Sequence, residues 1–190
     1  VIRARKNPWN DSSDVYDLRG VDVEINYARM YPDSNIATHL LGYVREIDPA
    51  RLKTLTEKYP NRYRSGDGIG IGGLEEEWDL WLRGFDGYKE RIVNAVGKEV
   101  DFESISSGLE DRPAVAGASL KLTIDRDLQT VARDSFGTKN GAAIVIDVNT
   151  GGILALFSAP SYDLNKLSGV EGNSYWGMLA TDPNHYLMNR

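Results

Sequence analysis

Ala142-Ala143-Ile144-Val145-Ile146 is an unbroken apolar run, Asp147-Val148-Asn149-Thr150-Gly151-Gly152 has the composition of a turn, and Ile153-Leu154-Ala155-Leu156-Phe157 is apolar again. Short apolar runs rich in β-branched residues and bounded by turn residues read as strands. Two of them around one turn predict a β-hairpin. Neither strand alternates with polar residues, so both faces of the ribbon require cover, as in the middle of a large sheet. Such a ribbon folds poorly alone, and the expectation is that the natural protein continues past Arg190.

Upstream of the ribbon, Leu120, Leu122 and Ile124 predict a further strand. Asp125 then caps a helix from Arg126 to about Phe136, with Leu128, Val131 and Ala132 on its apolar side. The composition shifts at Pro113 to Gly117, and a domain boundary is placed there. That gives residues 1–115 and 116–190 as the two domains. Downstream, residues 159–190 are rich in turn formers and aromatics.

The first domain reads as short mixed elements. Val21 to Tyr27 alternates as a half-buried strand does. Tyr31 to Ser34 is a turn, Asn35 to Leu41 a short helix stopped by Gly42, and Tyr43 to Ile47 a short strand. Asp48 followed by Pro49 starts a helix that runs to about Lys58. Ser65 to Gly73 is glycine-rich and reads as a loop. Leu74, Trp78, Trp81 and Leu82 form one helical stripe assigned to the core, with Glu75, Glu76 and Glu77 in its first turn and Gly84 at its end. From Tyr88 a poorly faced strand leads to a turn at Gly97-Lys98 and continues at Val100 and Phe102.

Composition narrows the function. The chain has 190 residues, a net charge of −6 and no cysteine. An acidic chain lacks the broad basic face that phosphate binding needs, so nucleic acid is not an expected partner. The one basic cluster, Arg3, Arg5 and Lys6, reads as a solvated face. Disulfides and thiolate metal sites are excluded. No apolar run is long enough to span a bilayer. Val1 stands where a methionine would, so the expectation is that the chain begins inside a longer protein.

Motif by motif, the chemistry stays empty. Gly68-Ile69-Gly70-Ile71-Gly72-Gly73 satisfies the dinucleotide pattern, but no buried strand precedes it and no βαβ unit follows. His39 and His185 have no partner at zinc spacing. Asp125 and Asp127 are explained by a helix cap. Asn10-Asp11-Ser12 matches a glycosylation triplet that arises often by chance. No serine is followed three residues on by lysine, the arrangement a histidine-free serine acyl enzyme uses. These residues assign no catalytic, cofactor-binding or metal-binding role. Gly73, Leu74 and Glu75 are singled out as a structural motif: at a helix start, the Glu75 carboxylate can accept backbone donors or an arginine.

Several blocks, taken in order, resemble the class B penicillin-binding proteins, and most closely the penicillin-binding protein 2 branch. They are Thr38-His39-Leu40-Leu41-Gly42-Tyr43-Val44, the stretch from Gly70 to Gly84, that from Ala118 to Gln129, that from Ala142 to Tyr162, and Asn189-Arg190. The resemblance implies an α+β chain: an elongated non-catalytic pedestal of the dimerisation type, then the incomplete start, helix and hairpin, of a transpeptidase domain. It implies a parent that cross-links peptidoglycan stem peptides through a serine acyl-enzyme and binds penicillin. It also implies RodA-like glycosyltransferase and MreC-like scaffold partners in the wall-elongation complex. The expected place is the periplasmic side of the bacterial inner membrane, with attachment only through an N-terminal helix missing here.

Departures from the family pattern are also legible. The opening Arg-Gly motif is absent, and the head segment near residues 10–18 is shortened or missing. The Ser-x-x-Lys nucleophile is expected beyond Arg190, which makes this chain inactive alone. A stand-alone protein-interaction module with no enzymatic parent is the rival reading.

Overall fold

The computed structural model describes residues 28–90, 92, 111–169 and 171–190. The strand expected over Val21 to Tyr27, the cluster of Arg3, Arg5 and Lys6, the Asn10 triplet, the head segment near 10–18, the turn at Gly97-Lys98, and Val100 with Phe102 lie outside the described residues. Helices and strands are mixed along the chain: α1 (Thr38–Leu41), β1 (Tyr43–Glu46), α2 (Pro49–Lys58), β2 (Gly68–Ile71), α3 (Gly73–Glu77), α4 (Asp79–Leu82), β3 (Tyr88–Lys89), β4 (Asp111–Arg112), α5 (Arg126–Phe136), β5 (Gly141–Ile146), β6 (Ile153–Ala159), α6 (Leu164–Ser168) and α7 (Gly172–Thr181). Residues 28–77 and 122–190 pack as one compact unit, and 78–121 as another.

In the larger unit, β1 and β2 pair antiparallel, Tyr43 opposite Ile71 and Glu46 opposite Gly68. The glycine-rich stretch expected as a loop is therefore a strand over part of its length. Its glycines serve close approach rather than turning: a Cβ on Gly70 would stand 1.9 Å from the Glu75 carbonyl oxygen. Between the two strands lies α2, started as expected, with the Asp48 carboxylate accepting from the Arg51 N–H at 2.9 Å. The helix expected over residues 35–41 shortens to α1.

β5 and β6 form the anticipated hairpin, from Gly141 opposite Ala159 to Ile146 opposite Ile153. The Asp147 carboxylate ties its turn by accepting from the Asn149 N–H and the Thr150 hydroxyl, and these bonds hold its pKa below the usual carboxylate value. Cover is one-sided. Ala155, Phe157 and Ala159 of β6 are buried, while Ile144 and Ile146 of β5 are 59% and 54% exposed and Val148 is 92% exposed. The expectation that both strands are buried on both faces does not hold among the described residues: Phe136 packs against the Gly141 end of β5, and the far end from Ile144 to Ile146 is exposed. Residues 120–124 form no strand. Within the larger unit, the Thr123 hydroxyl donates to the Ile153 carbonyl of β6 and the Asp125 N–H to the Leu154 carbonyl.

Helix α5 begins at its Asp125 cap, which accepts from the Asp127 and Leu128 N–H groups. Its buried side chain is Gln129, 0% exposed, whereas Leu128 and Val131 face solvent. The amide of Gln129 donates to the Ile36 carbonyl (2.6 Å) and the Leu156 carbonyl (2.8 Å) and accepts from the Leu156 N–H (2.8 Å). A polar side chain thereby satisfies the outer edge of β6, and a fully paired amide is stable where an unpaired one is not. Phe136 completes the contact by packing on Phe157.

The core of this unit joins distant stretches: Tyr31 and Tyr43 from the first, Tyr162, Leu164, Leu167 and Leu179 from the second. Burying a leucine such as Leu164 contributes about 2–3 kcal/mol. Asn165 fastens the two stretches, its amide accepting from the Tyr31 N–H (2.9 Å) and donating to the Tyr31 carbonyl (2.8 Å).

In the smaller unit, Phe85 and Val115 exchange both backbone hydrogen bonds, and β3 pairs with β4, Tyr88 opposite Arg112. Gly117 passes so close to Leu82 that a Cβ would stand 2.0 Å from its carbonyl oxygen. The expected continuous helix from Leu74 to Leu82 is broken at Trp78, whose φ of −106° and ψ of 15° leave the helical range. The expected core stripe is divided: Trp81 is 65% exposed and Trp78 is exposed as well, while Leu74 and Leu82 are half-buried.

Candidate functional site

Glu75 sits near the start of α3 with its side chain only 3% exposed. A carboxylate withdrawn from water needs a paired charge and full hydrogen bonding. Arg29 supplies both, its Nε 2.9 Å from Oε1 and its Nη2 3.0 Å from Oε2, a two-pronged grip. Tyr31 donates its hydroxyl to Oε1 at 3.2 Å. Burial first, and then the Glu75 carboxylate, push the Tyr31 hydroxyl well above its ordinary pKa, so it remains a donor. Gly73 has a φ of 53°, and a Cβ on it would stand 2.4 Å from the Leu40 carbonyl oxygen. Leu74 is half-buried. Next to them, the Glu76 carboxylate accepts from the Gly72 N–H and from Arg51. Both carboxylate oxygens of Glu75 are thus held, by the Arg29 guanidinium and the Tyr31 hydroxyl.

The two histidines part company. His185, in the left-handed region at φ 53°, is exposed. His39 is packed: its Nε2 lies 2.9 Å from the Tyr186 carbonyl, its Nδ1 lies 3.2 Å from the Thr38 hydroxyl, and its ring meets Tyr162 edge-on at 5.1 Å. A carbonyl only accepts, so Nε2 carries the proton and Nδ1 accepts from Thr38. Burial chiefly, and the Arg190 charge after it, lower the His39 pKa, against the opposing pull of the Tyr186 carbonyl. Tyr162 is pushed up to about 12 by burial and by Tyr43 and Tyr175. The sequence showed only that His39 lacks a partner at zinc spacing; its bond to Tyr186 was not foreseen. A histidine that pairs 147 residues along the chain leaves no local pattern.

Beside this contact lies an open cleft of about 330 Å³, lined by Asn35, Tyr162, Asp163, Tyr175, Met178 and Tyr186. Asp163 caps α6 through the Asn165 N–H. Among the described residues no group of three histidine, cysteine, aspartate or glutamate side chains stands together as a metal site. Asp125 and Asp127 sit on one helix start, and the strand Gly68–Ile71 leads into the five-residue helix Gly73–Glu77. No helix among the described residues is long and apolar enough to cross a membrane.

The penicillin-binding protein dimerisation domain family matches residues 10–122. The chain is 35% identical over 178 residues to the peptidoglycan D,D-transpeptidase MrdA of Escherichia coli K12, covering 92% of this chain and 27% of that protein. It is 33% identical over 173 residues to penicillin-binding protein 3 of Bacillus subtilis, covering 91% and 24%. Among solved structures, it is similar to the Helicobacter pylori complex of penicillin-binding protein 2 and MreC (TM-score 0.67, 30% identity, 88% of this chain and 29% of that one). It is also similar to Pseudomonas aeruginosa penicillin-binding protein 2 (TM-score 0.67, 27% identity, 87% and 31%). The chain thus spans about a quarter of the length of the curated relatives it matches.

Proposed function

The chain belongs to the penicillin-binding protein dimerisation domain family, and from that membership we propose that it is the non-catalytic dimerisation portion, with the first elements of the transpeptidase domain, of a peptidoglycan D,D-transpeptidase of wall elongation. The observation that carries this reading is the 35% identity to MrdA across 92% of the chain, which runs past residue 122, the last residue the family model matches. The exposed apolar side chains of β5 and of the turn after it, Ile144, Ile146 and Val148, support the second half. An apolar ribbon open on one side belongs under further structure.

On this reading residues 1–115 are the pedestal, and residues 116–190 open a domain whose serine nucleophile, in Ser-x-x-Lys, follows Arg190. The parent attacks the end of a stem peptide with that serine and transfers the acyl group to a neighbouring strand. The Helicobacter pylori complex supports an MreC-like scaffold as partner. A RodA-like glycosyltransferase is proposed from the family resemblance alone. The place of action is the periplasmic side of the inner membrane. Gly73, Leu74 and Glu75 serve the pedestal's backbone.

A fluorescent penicillin tests the proposal. The full-length parent is expected to become covalently labelled, and unlabelled β-lactam to block the labelling. The 190-residue chain is expected to stay unlabelled. A labelled 190-residue chain, or an unlabelled full-length protein, overturns it.

A further inference from the structure

We propose that the cleft beside His39 binds a small organic cation, an ammonium or guanidinium group on a short apolar stem. The cleft lies wholly within the larger unit, and its volume of about 330 Å³ is at the lower end of what small-molecule sites use. Its wall combines rings with carboxylates. Tyr162, Tyr175 and Tyr186 supply phenols, Met178 a thioether, and Asp163 and Asp182 the charge, while no lysine, arginine or histidine lines it. Each acid is committed through one oxygen. Oδ1 of Asp163 accepts from the Asn165 N–H, and Oδ1 of Asp182 accepts from the N–H and the side-chain amide of Asn184. Among the described residues no group donates to either Oδ2, and no cation stands within ion-pair distance of either carboxylate.

Tyr162 points independently to a ligand. It is only 8% exposed, yet among the described residues nothing hydrogen-bonds to its hydroxyl, and that oxygen is not sealed from solvent. A buried hydroxyl normally has a partner, and the cleft that Tyr162 lines is where one can reach it. Burial, and then Tyr43 and Tyr175, push this phenol up to about 12, so it stays neutral and its oxygen offers lone pairs to a donor. The wall selects the sign of the ligand. Carboxylate and phenol oxygens accept from N–H groups, ring faces attract cations, and an anion would meet two like charges. Tyr175 already carries one cation, the Lys166 ammonium 5.5 Å from its ring centroid, and Lys166 itself does not line the cleft. The apolar stem of the ligand has Met178 to rest on.

The experiment follows the Met178 methyl group by NMR in the full-length protein carrying isotope-labelled methionine, its signal identified by its loss in Met178→Leu. The probes are n-butylammonium, a free cation, and acetyl-lysine-methylamide, the same charge displayed on a peptide backbone. Butanol is the neutral control and pentanoate the anionic one. At least one cation is expected to shift the Met178 signal saturably in the millimolar range, the tighter of the two identifying the source, while butanol and pentanoate leave it in place. Asp163→Asn and Asp182→Asn keep the acceptors of both turns and are each expected to weaken binding about two- to fivefold. Tyr162→Phe is expected to weaken it as well, added salt likewise, and Asp127→Asn at the start of α5 to change nothing. Melting temperatures verify that each variant is folded. The proposal is overturned if neither cation shifts the signal saturably, which is also the result if chain beyond Arg190 fills the cleft. It is equally overturned if butanol binds as well as n-butylammonium, or if both asparagine variants bind like the unaltered protein. Penicillin labelling decides the transpeptidase reading separately, since the cleft proposal does not rest on it.

Discussion

Two side-chain amides stand in for backbone in this structure. Gln129 and Asn165 each pair with main-chain donors and acceptors as a neighbouring strand would. Gln129→Leu keeps size but strands the Leu156 N–H and the carbonyls of Ile36 and Leu156, so it is expected to cost about 3 kcal/mol in urea unfolding. At the Glu75 cluster, Glu75→Leu leaves the Arg29 charge half-buried and is expected to destabilise by about 3–5 kcal/mol, whereas Arg29→Met combined with Glu75→Leu costs clearly less than the two separate losses added. His39 imposes a pH dependence. Its folded pKa lies below the ordinary value of 6.5, so below that value the unfolded chain binds a proton that the folded chain refuses. Stability contributed by the neutral ring is complete above about pH 6.5 and is lost as pH falls toward the folded pKa. Melting curves across this range are expected to flatten in His39→Gln.

At the scale of elements, β2 and α3 depend on missing side chains. Gly70 passes the Glu75 backbone and Gly73 passes that of Leu40 at distances no Cβ allows. Gly70→Ala is expected to cost at least about 2 kcal/mol in thermal unfolding, because the clashing atoms are main chain and cannot step aside. These elements also mark how far the sequence could be read. Caps and turns are local, so Asp48, Asp125 and the 147–152 turn announced themselves in residue order. The strand in Gly68–Ile71 did not, since its glycines answer to a helix reached later in the chain. Helix α5 was found but its orientation was not. An apolar stripe of Leu128, Val131 and Ala132 predicts burial, yet the edge of β6 required an amide, and Gln129 took the inner position. The Trp78 stripe failed likewise when the helix broke beneath it. Of the polar sites, Glu75 stood out by its place at a helix start, while its partners Arg29 and Tyr31 lie 46 and 44 residues away and left no signal.

For the whole molecule, the uncovered β5 face predicts behaviour in solution. The isolated 190-residue chain is expected to self-associate with rising concentration and to bind a hydrophobic dye, and Ile144→Lys with Val148→Lys is expected to suppress both in light scattering and dye fluorescence. The Asn165 clasp has a temporal consequence. A ribosome delivers Tyr31 first, and its partner follows 134 residues later, which at roughly 5–20 residues per second is a wait of about 7–27 seconds. Throughout that interval the earlier stretch has neither Asn165 to bind nor Leu164 and Leu167 to lean on. Protease added to nascent chains is expected to cut it readily until the α6 sequence has emerged.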